Sequence, residues 1–224
     1  MEYVKYNSSL NYSYVFGAFG TIELLENKAS ECLSIIVDPS FVNNEAFNKI
    51  KVLCKENNIP VLIDLKLINK IRDKGNIFVI GVFKKYESNL NSNRHLVLHE
   101  INDVGVIGTI IRSMRGFGFE NLVLIDCDVD LYHEHLIRST MGAFFQSNIK
   151  RYSSFEKYKK EYSKLKFINI TNKGESLSTV DNSNDLSLIF SKEPINDERI
   201  THINFKEDIS LDNIVNIVLF NLYS

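Results

Sequence analysis

Cysteine is scarce in this 224-residue chain: Cys32, Cys54 and Cys127 are widely spaced and odd in number. That excludes a disulfide framework and points to a reducing, cytoplasmic setting. Long apolar runs are absent, and none approaches the ~20 residues of a membrane span. Met1 to Lys5 shows no charged stub leading into an apolar core, so no secretory signal is expected. An excess of one charge is lacking too. The chain holds 26 Lys and Arg against 28 Asp and Glu, a formal net charge of −2. A protein that grips nucleic acid by bulk electrostatics is thereby excluded, but a local basic patch is not. What is present is 44% hydrophobic residues, enough for a buried core and too many for wholesale disorder. The length fits one or two domains of roughly 100–150 residues.

The first segment has a strand–helix rhythm. Leu33–Val37 is short, apolar and β-branched and stops at Asp38-Pro39, as a buried strand does. Residues 44–58 carry Phe47, Ile50 and Leu53-Cys54 at helical spacing, with Asn43 or Asn44 as the N-cap. Ile59–Ile63 and Ile77–Val82 read as strands and Leu65–Ile71 as a short helix. Tyr14–Glu26 is expected as an opening helix weakened by Gly17 and Gly20. Residues 89–94 are polar and rich in turn formers, and read as a linker. The rhythm then restarts: strands at His95–His99, Asn121–Ile125, Phe167–Ile170 and Leu186–Phe190, and helices at Thr109–Phe117, His135–Phe144, Phe155–Leu165 and Leu211–Tyr223. Such alternation implies an α/β fold with a mainly parallel sheet.

Three stretches stand out. In Asn102-Asp103-Val104-Gly105-Val106-Ile107-Gly108-Thr109-Ile110-Ile111-Arg112 a loop with two glycines enters a helix that carries an arginine. Glycines there let a ligand approach the backbone, and a helix N-terminus offers free N–H groups. The pattern matches neither the dinucleotide nor the P-loop fingerprint, and by itself a tight strand–helix turn explains it. In His135–Phe145 the small residues Ser139, Gly142 and Ala143 suit close helix packing. Near the C-terminus, Ser210 is placed to cap the last helix, with Asp212 at its positive end.

Taken together and in this order, these stretches resemble the motifs of the SPOUT methyltransferases, in particular the TrmH/SpoU branch of RNA ribose 2′-O-methyltransferases. Asp103–Ser113 resembles the first motif, D-P-x-N-x-G-x-I-I-R-T, continued by Gly116-Phe117-Gly118-Phe119. Ile137-Arg138-Ser139-Thr140-Met141-Gly142-Ala143-Phe144-Phe145 is similar to the R-A-S-M-G-A-x-F segment. Leu188–Pro194 stands at the second motif, L-V-F-G-N-E-G, and Ser210–Val215 at the third, S-L-N-V-S-V. The resemblance implies a small ribosomal-protein-like α/β domain for substrate RNA over residues 1–88 and a trefoil-knotted α/β domain over 95–224. It also implies a homodimer that uses S-adenosylmethionine to methylate a ribose 2′-hydroxyl of rRNA or tRNA.

Residue by residue, the resemblance implies that Arg112, Ser210 and Asp212 are catalytic. It places Thr171, Phe190, Ser191, Glu193, Ile203 and Leu211 against the cofactor, and Gly108, Arg112 and Arg138 against the substrate. No metal is implied. The sequence departs from the family pattern at four points: Val106 replaces the motif-one asparagine, Ser191 and Pro194 replace both glycines of motif two, and Asp212 replaces the motif-three asparagine. A protein of the same fold with a decayed cofactor loop, kept for RNA binding or assembly, is the alternative expectation.

Other features carry less. His133-Glu134-His135 does not complete a zinc set and reads as a loop or helix entry. The acidic neighbours of Cys127 oppose thiolate formation. Residues 150–166 hold seven basic and two acidic side chains with Tyr152, Tyr158 and Tyr162. That stretch is expected as an amphipathic helix, aromatics in and lysines out, with an RNA-contacting face as the alternative.

Overall fold

The computed structural model describes residues 2–72, 75–171, 175–176, 185–204 and 209–223. In chain order the elements begin with β1 (Tyr12–Phe16), α1 (Ala18–Asn27), β2 (Cys32–Val37), α2 (Glu45–Glu56), β3 (Val61–Ile63), α3 (Leu65–Ile71) and β4 (Val79–Lys84). They continue with β5 (Arg94–His99), α4 (Val104–Gly116), β6 (Asn121–Ile125), α5 (Glu134–Ser139), α6 (Ala143–Gln146), β7 (Asn148–Tyr152), α7 (Phe155–Glu161), β8 (Lys166–Thr171), β9 (Leu186–Ser191), β10 (Ile200–Asn204) and α8 (Leu211–Tyr223). The chain divides into two units: Met1–Tyr86 with Asp130–Gln146, and Glu87–Val129 with Ser147–Ser224.

The first unit is built on a four-stranded sheet of order β1-β4-β2-β3, in which only the β2–β3 pair is parallel. One cluster joins Tyr12, Tyr14, Ile36, Ile80 and Val82 of the sheet to Ile68 and Ile71 of α3. The expected opening helix is corrected here: its first residues belong to β1, and Gly17, at φ 91°, separates strand from helix. Tyr12, Tyr14 and Phe16 lie two apart and their rings meet in sequence, 5.6 and 6.2 Å between centroids, a pattern that suits a pleated surface. Gly81 is required by close approach. A Cβ there would lie 2.8 Å from Val15 Cγ1 and 3.0 Å from Leu24 Cδ2.

Residues 130–146, expected with the C-terminal half, belong to the first unit. The cause is aromatic packing. Tyr132, Phe144 and Phe145 gather around the fully buried Phe83, with centroids at 6.2, 6.4 and 5.1 Å. Ser13 Oγ donates to the Tyr132 carbonyl at 2.5 Å, and Gln146 Nε2 donates to Glu23 Oε2 at 2.6 Å. The single helix expected at His135–Phe144 is two short ones. Met141 and Gly142 take φ 49° and 85° between them, a left-handed break that glycine tolerates best.

The second unit is a six-stranded, wholly parallel sheet of order β10-β8-β9-β5-β6-β7. Val97, Val123, Ile125, Phe167 and Ile189 share a face with Phe155 and Tyr158 of α7. Alternate residues such as Leu96, Leu98, Leu122 and Leu188 point to the other face and are also fully buried. The edge strands β7 and β10 were not expected from the sequence. Residues 148–152 are a strand, and the helix of the basic stretch is confined to Phe155–Glu161. Phe155 and Tyr158 of the helix turn inward, Lys159 pairs with Glu156 and Asp197, and Lys150 of β7 meets Glu161 at 2.7 Å.

A buried polar chain crosses the α7 face. His95 Nε2 lies 2.7 Å from the Ser92 carbonyl, His95 Nδ1 lies 2.8 Å from the Tyr158 hydroxyl, and that hydroxyl lies 2.8 Å from Ser187 Oγ. The carbonyl can only accept, so Nε2 carries the proton and Nδ1 accepts from Tyr158. Burial lowers the His95 pKa below its ordinary value. A histidine held neutral in the fold binds more protons when unfolded, so its contribution is present above the unfolded value of about 6.5 and is lost as pH falls below it. Chemical denaturation from pH 8 to pH 5 is expected to show that loss, and a flatter profile in His95→Gln.

Candidate active site

In parallel α/β sheets ligands bind beyond the carboxyl ends of the strands, at the point where connections diverge to opposite sides. In this sheet that point lies between β5 and β9. The chain leaves β5 toward β6 and leaves β9 toward β10, and His99 and Ser191 end the two strands in register.

The expected loop with two glycines is corrected first. Asp103 caps α4, its Oδ1 accepting from the Val106 N–H at 2.9 Å, so Gly105 and Gly108 lie inside the helix. Residues 105, 108, 109 and 112 share one helical face. Gly108 is buried, Thr109 Oγ1 donates to the Gly105 carbonyl at 2.9 Å, and the side chain of Arg112 is exposed. Among the described residues no hydrogen bond or ion pair engages Arg112. Nor does one engage Asp212, which stands half-buried in the first turn of α8. The α8 helix packs against α4. Ser210 precedes α8, its carbonyl accepting from Ile214 N at 3.1 Å and its hydroxyl from Asn213 Nδ2 at 2.9 Å.

Strand pairing brings most of the expected cofactor residues together. Phe190 and Ile203 flank Ile170 in register, and Thr171 pairs with Asn204 at the ends of β8 and β10. Ile203 and Phe190 are buried, Ser191 and Leu211 half-buried, and Glu193 exposed just past β9. Arg138 lies on α5, in the first unit.

Two groups escaped the sequence reading. His99 has Nε2 3.6 Å from Asp126 Oδ2, and its Nδ1 is buried without a hydrogen-bond partner among the described residues. Asn169, fully buried in β8, binds the chain beyond β9. A polar residue closing or interrupting an apolar strand was the available signal for both. Buried polar atoms are paired in folded proteins unless a ligand or water completes them. His99 Nδ1 and Asn204 Oδ1, both without a hydrogen-bond partner among the described residues at the carboxyl edge of the sheet, supply hydrogen-bonding capacity there. Leu211, half-buried at the start of α8, is apolar, while Phe190 and Ile203 lie in the core behind that edge. Such hydrogen-bonding atoms fit the polar edges of a nucleoside, as in S-adenosylmethionine.

Among the described residues, no group of three or more His, Cys, Asp and Glu side chains could hold a metal ion. His133 caps α5, its Nδ1 accepting from the His135 N–H at 3.2 Å. Burial raises the thiol pKa of Cys127, that of Cys54 to about 11 and that of Cys32 to about 12, so none is a thiolate at neutral pH. Among the described residues, no helix is long and apolar enough to cross a membrane.

Comparison with solved structures gives close likenesses of fold. An rRNA methyltransferase from Sinorhizobium meliloti superposes with a TM-score of 0.76 at 18% identity, over 95% of this chain and 86% of that one. AviRb, a SpoU methyltransferase from Streptomyces viridochromogenes in complex with AdoMet, gives 0.77 at 13%, over 95% and 89%. An RNA 2′-O ribose methyltransferase gives 0.72 at 16%, over 96% and 88%. Comparison with curated proteins gives no match. The family described as SpoU rRNA Methylase matches residues 93–209, more than half of the chain and the whole path from β5 to the approach of α8. On that match, the chain belongs to the SpoU rRNA methylase family.

Proposed function

We propose that the protein transfers a methyl group to a ribose 2′-hydroxyl of rRNA or tRNA. The observation that carries this reading is Arg112: exposed, unengaged, on the helix that leaves the switch point, inside the span that matches the family. S-adenosylmethionine, held by Thr171, Phe190, Ser191, Glu193, Ile203 and Leu211, supplies an electrophilic methyl carbon when bound. The protein's task is to orient and activate a poor nucleophile. The Arg112 guanidinium grips a phosphate bidentately and fixes the adjacent ribose. Gly108, on the same helical face, leaves room for the chain to approach. Ser210 and Asp212 present oxygen acceptors for the hydroxyl proton at the start of α8, and Arg138 adds a second cation for the RNA. Residues 1–88 hold the substrate RNA, residues 89–94 link, and residues 95–224, whose segment 130–146 packs within the first unit, form the trefoil-knotted catalytic domain of a cytoplasmic homodimer.

The dimer has support in α8. Ile217, Phe220 and Tyr223 are 40%, 61% and 68% exposed along it, an apolar stripe of the kind a two-fold contact buries. Phe220→Asp is expected to convert the dimer to a monomer in sedimentation while leaving the thermal midpoint within a few degrees. A wild-type chain that sediments as a monomer at tens of micromolar would remove the dimer.

A second reading, an RNA-binding protein with a decayed cofactor site, has its support in Val106 and Pro194, which lack the side-chain amide and the backbone N–H of the family residues. Calorimetric titration with S-adenosylmethionine separates the two. Micromolar binding is the expected result, and a folded protein that takes up none at millimolar ligand belongs to the second reading.

A further inference from the structure

The loop that departs most from its family is held by a side chain with no place in the family motifs. Asn169 sits in the middle of β8, in register with Ile189 on one side and His202 on the other, and is wholly buried. Its Nδ2 donates to the Ile189 carbonyl at 3.0 Å and to Ser191 Oγ at 2.9 Å. Its Oδ1 accepts from Ser191 Oγ at 3.3 Å and from the Ile195 N–H at 3.2 Å. The two backbone partners fix the orientation of the amide, because a carbonyl must face the NH2 and an N–H must face the oxygen. All four hydrogen-bonding positions of the amide are therefore spent on residues 189–195.

The arrangement explains how two lost glycines are tolerated. A side chain at position 191 has to go somewhere, and the serine hydroxyl is bound back toward β8. Pro194 stiffens the next step, and Asn169 captures the N–H that follows it. Beyond, Lys159 of α7 pairs with Asp197, whose Oδ1 accepts from Arg199 N at 2.9 Å. Alanine in place of Ser191 would leave two amide positions of Asn169 buried and unpaired.

We propose that Asn169 is a positioning residue for the nucleoside-sulfonium ligand. Acting through Ser191 and Ile195, it holds the chain beyond β9 in the conformation that receives that ligand. The inference rests on the methyltransferase reading, and its test separates the two. S-adenosylhomocysteine, which binds without reacting, is titrated calorimetrically into the full-length wild type, Asn169→Ala, Ser191→Ala and the double variant. Thermal unfolding and amide hydrogen exchange at Ile195 are followed in parallel. Asn169→Ala is expected to weaken binding about tenfold or more in protein that remains folded, with faster exchange at Ile195. Ser191→Ala is expected to weaken it about fivefold, the size of one net hydrogen bond. The double variant should fall short of the product of the two, because both remove one shared contact. A merely structural asparagine would lower the melting temperature and leave the affinity of the folded protein unchanged, which overturns the proposal and spares the methyltransferase reading. A wild type that binds no S-adenosylhomocysteine overturns both. If Asn169→Ala does not fold, Ser191→Ala decides alone: unchanged affinity there rejects the role.

Discussion

Arg112→Ala is expected to reduce methyl transfer by at least about 100-fold, the scale on which a preorganised charged donor contributes at a reacting centre, with no change in fold. Both halves of that expectation follow from its position. The side chain is exposed on α4 and makes no hydrogen bond or ion pair with another described residue, so truncating it removes little that holds the fold. Surface substitutions of that kind stay within about 0.5 kcal/mol. The helix that carries it is secured independently by the Asp103 cap and by Ile107, Ile110, Ile111 and Met114, all buried. Arg112→Lys restores the charge but not the planar fork that grips a phosphate with two parallel bonds, and should recover only a small part of the rate. Initial rates on an RNA substrate, read beside circular-dichroism melting curves, check both. Undiminished activity in Arg112→Ala would remove the assigned role.

Phe83→Ala is expected to cost the first unit about 3–5 kcal/mol, the range for truncating a buried aromatic. Phe83 is fully buried at the end of β4, against the rings of Tyr86, Tyr132, Phe144 and Phe145. Three of those four rings come from residues 130–146, so the loss should appear first as faster amide exchange over that segment, and then as a lower midpoint in urea. The segment carries Arg138, so under the proposed role of that arginine its loosening should also weaken RNA binding. A cost below about 1 kcal/mol, or exchange unchanged over 130–146, would show that the aromatic cluster does not hold the segment to this unit.

The central strands were legible because burial on both faces leaves little choice of residue. Leu33–Val37, Asn121–Ile125 and Leu186–Phe190 read as strands from their composition, and each is one. The edges were not legible. Asn148-Ile149-Lys150-Arg151-Tyr152 pairs on one side only and keeps two basic side chains in the strand, so its pattern merges with the basic stretch that follows. Gly105 and Gly108 suggested a loop because glycine disfavours helix interiors, yet the Asp103 cap and the buried apolar face of α4 outweigh that preference. At the candidate site, the stretch around Arg112 was legible because one motif in sequence carries it. Asn169 was not, because its meaning lies in what stands across the sheet and at the end of the next strand.

The measurement that bears most directly on the function is product analysis. Purified protein is incubated with methyl-labelled S-adenosylmethionine and unmodified RNA, and the RNA is then digested to nucleosides. The account predicts label in a 2′-O-methyl nucleoside, abolished by Arg112→Ala. Label on a base, or no label from folded protein that binds S-adenosylmethionine and the RNA, would contradict it.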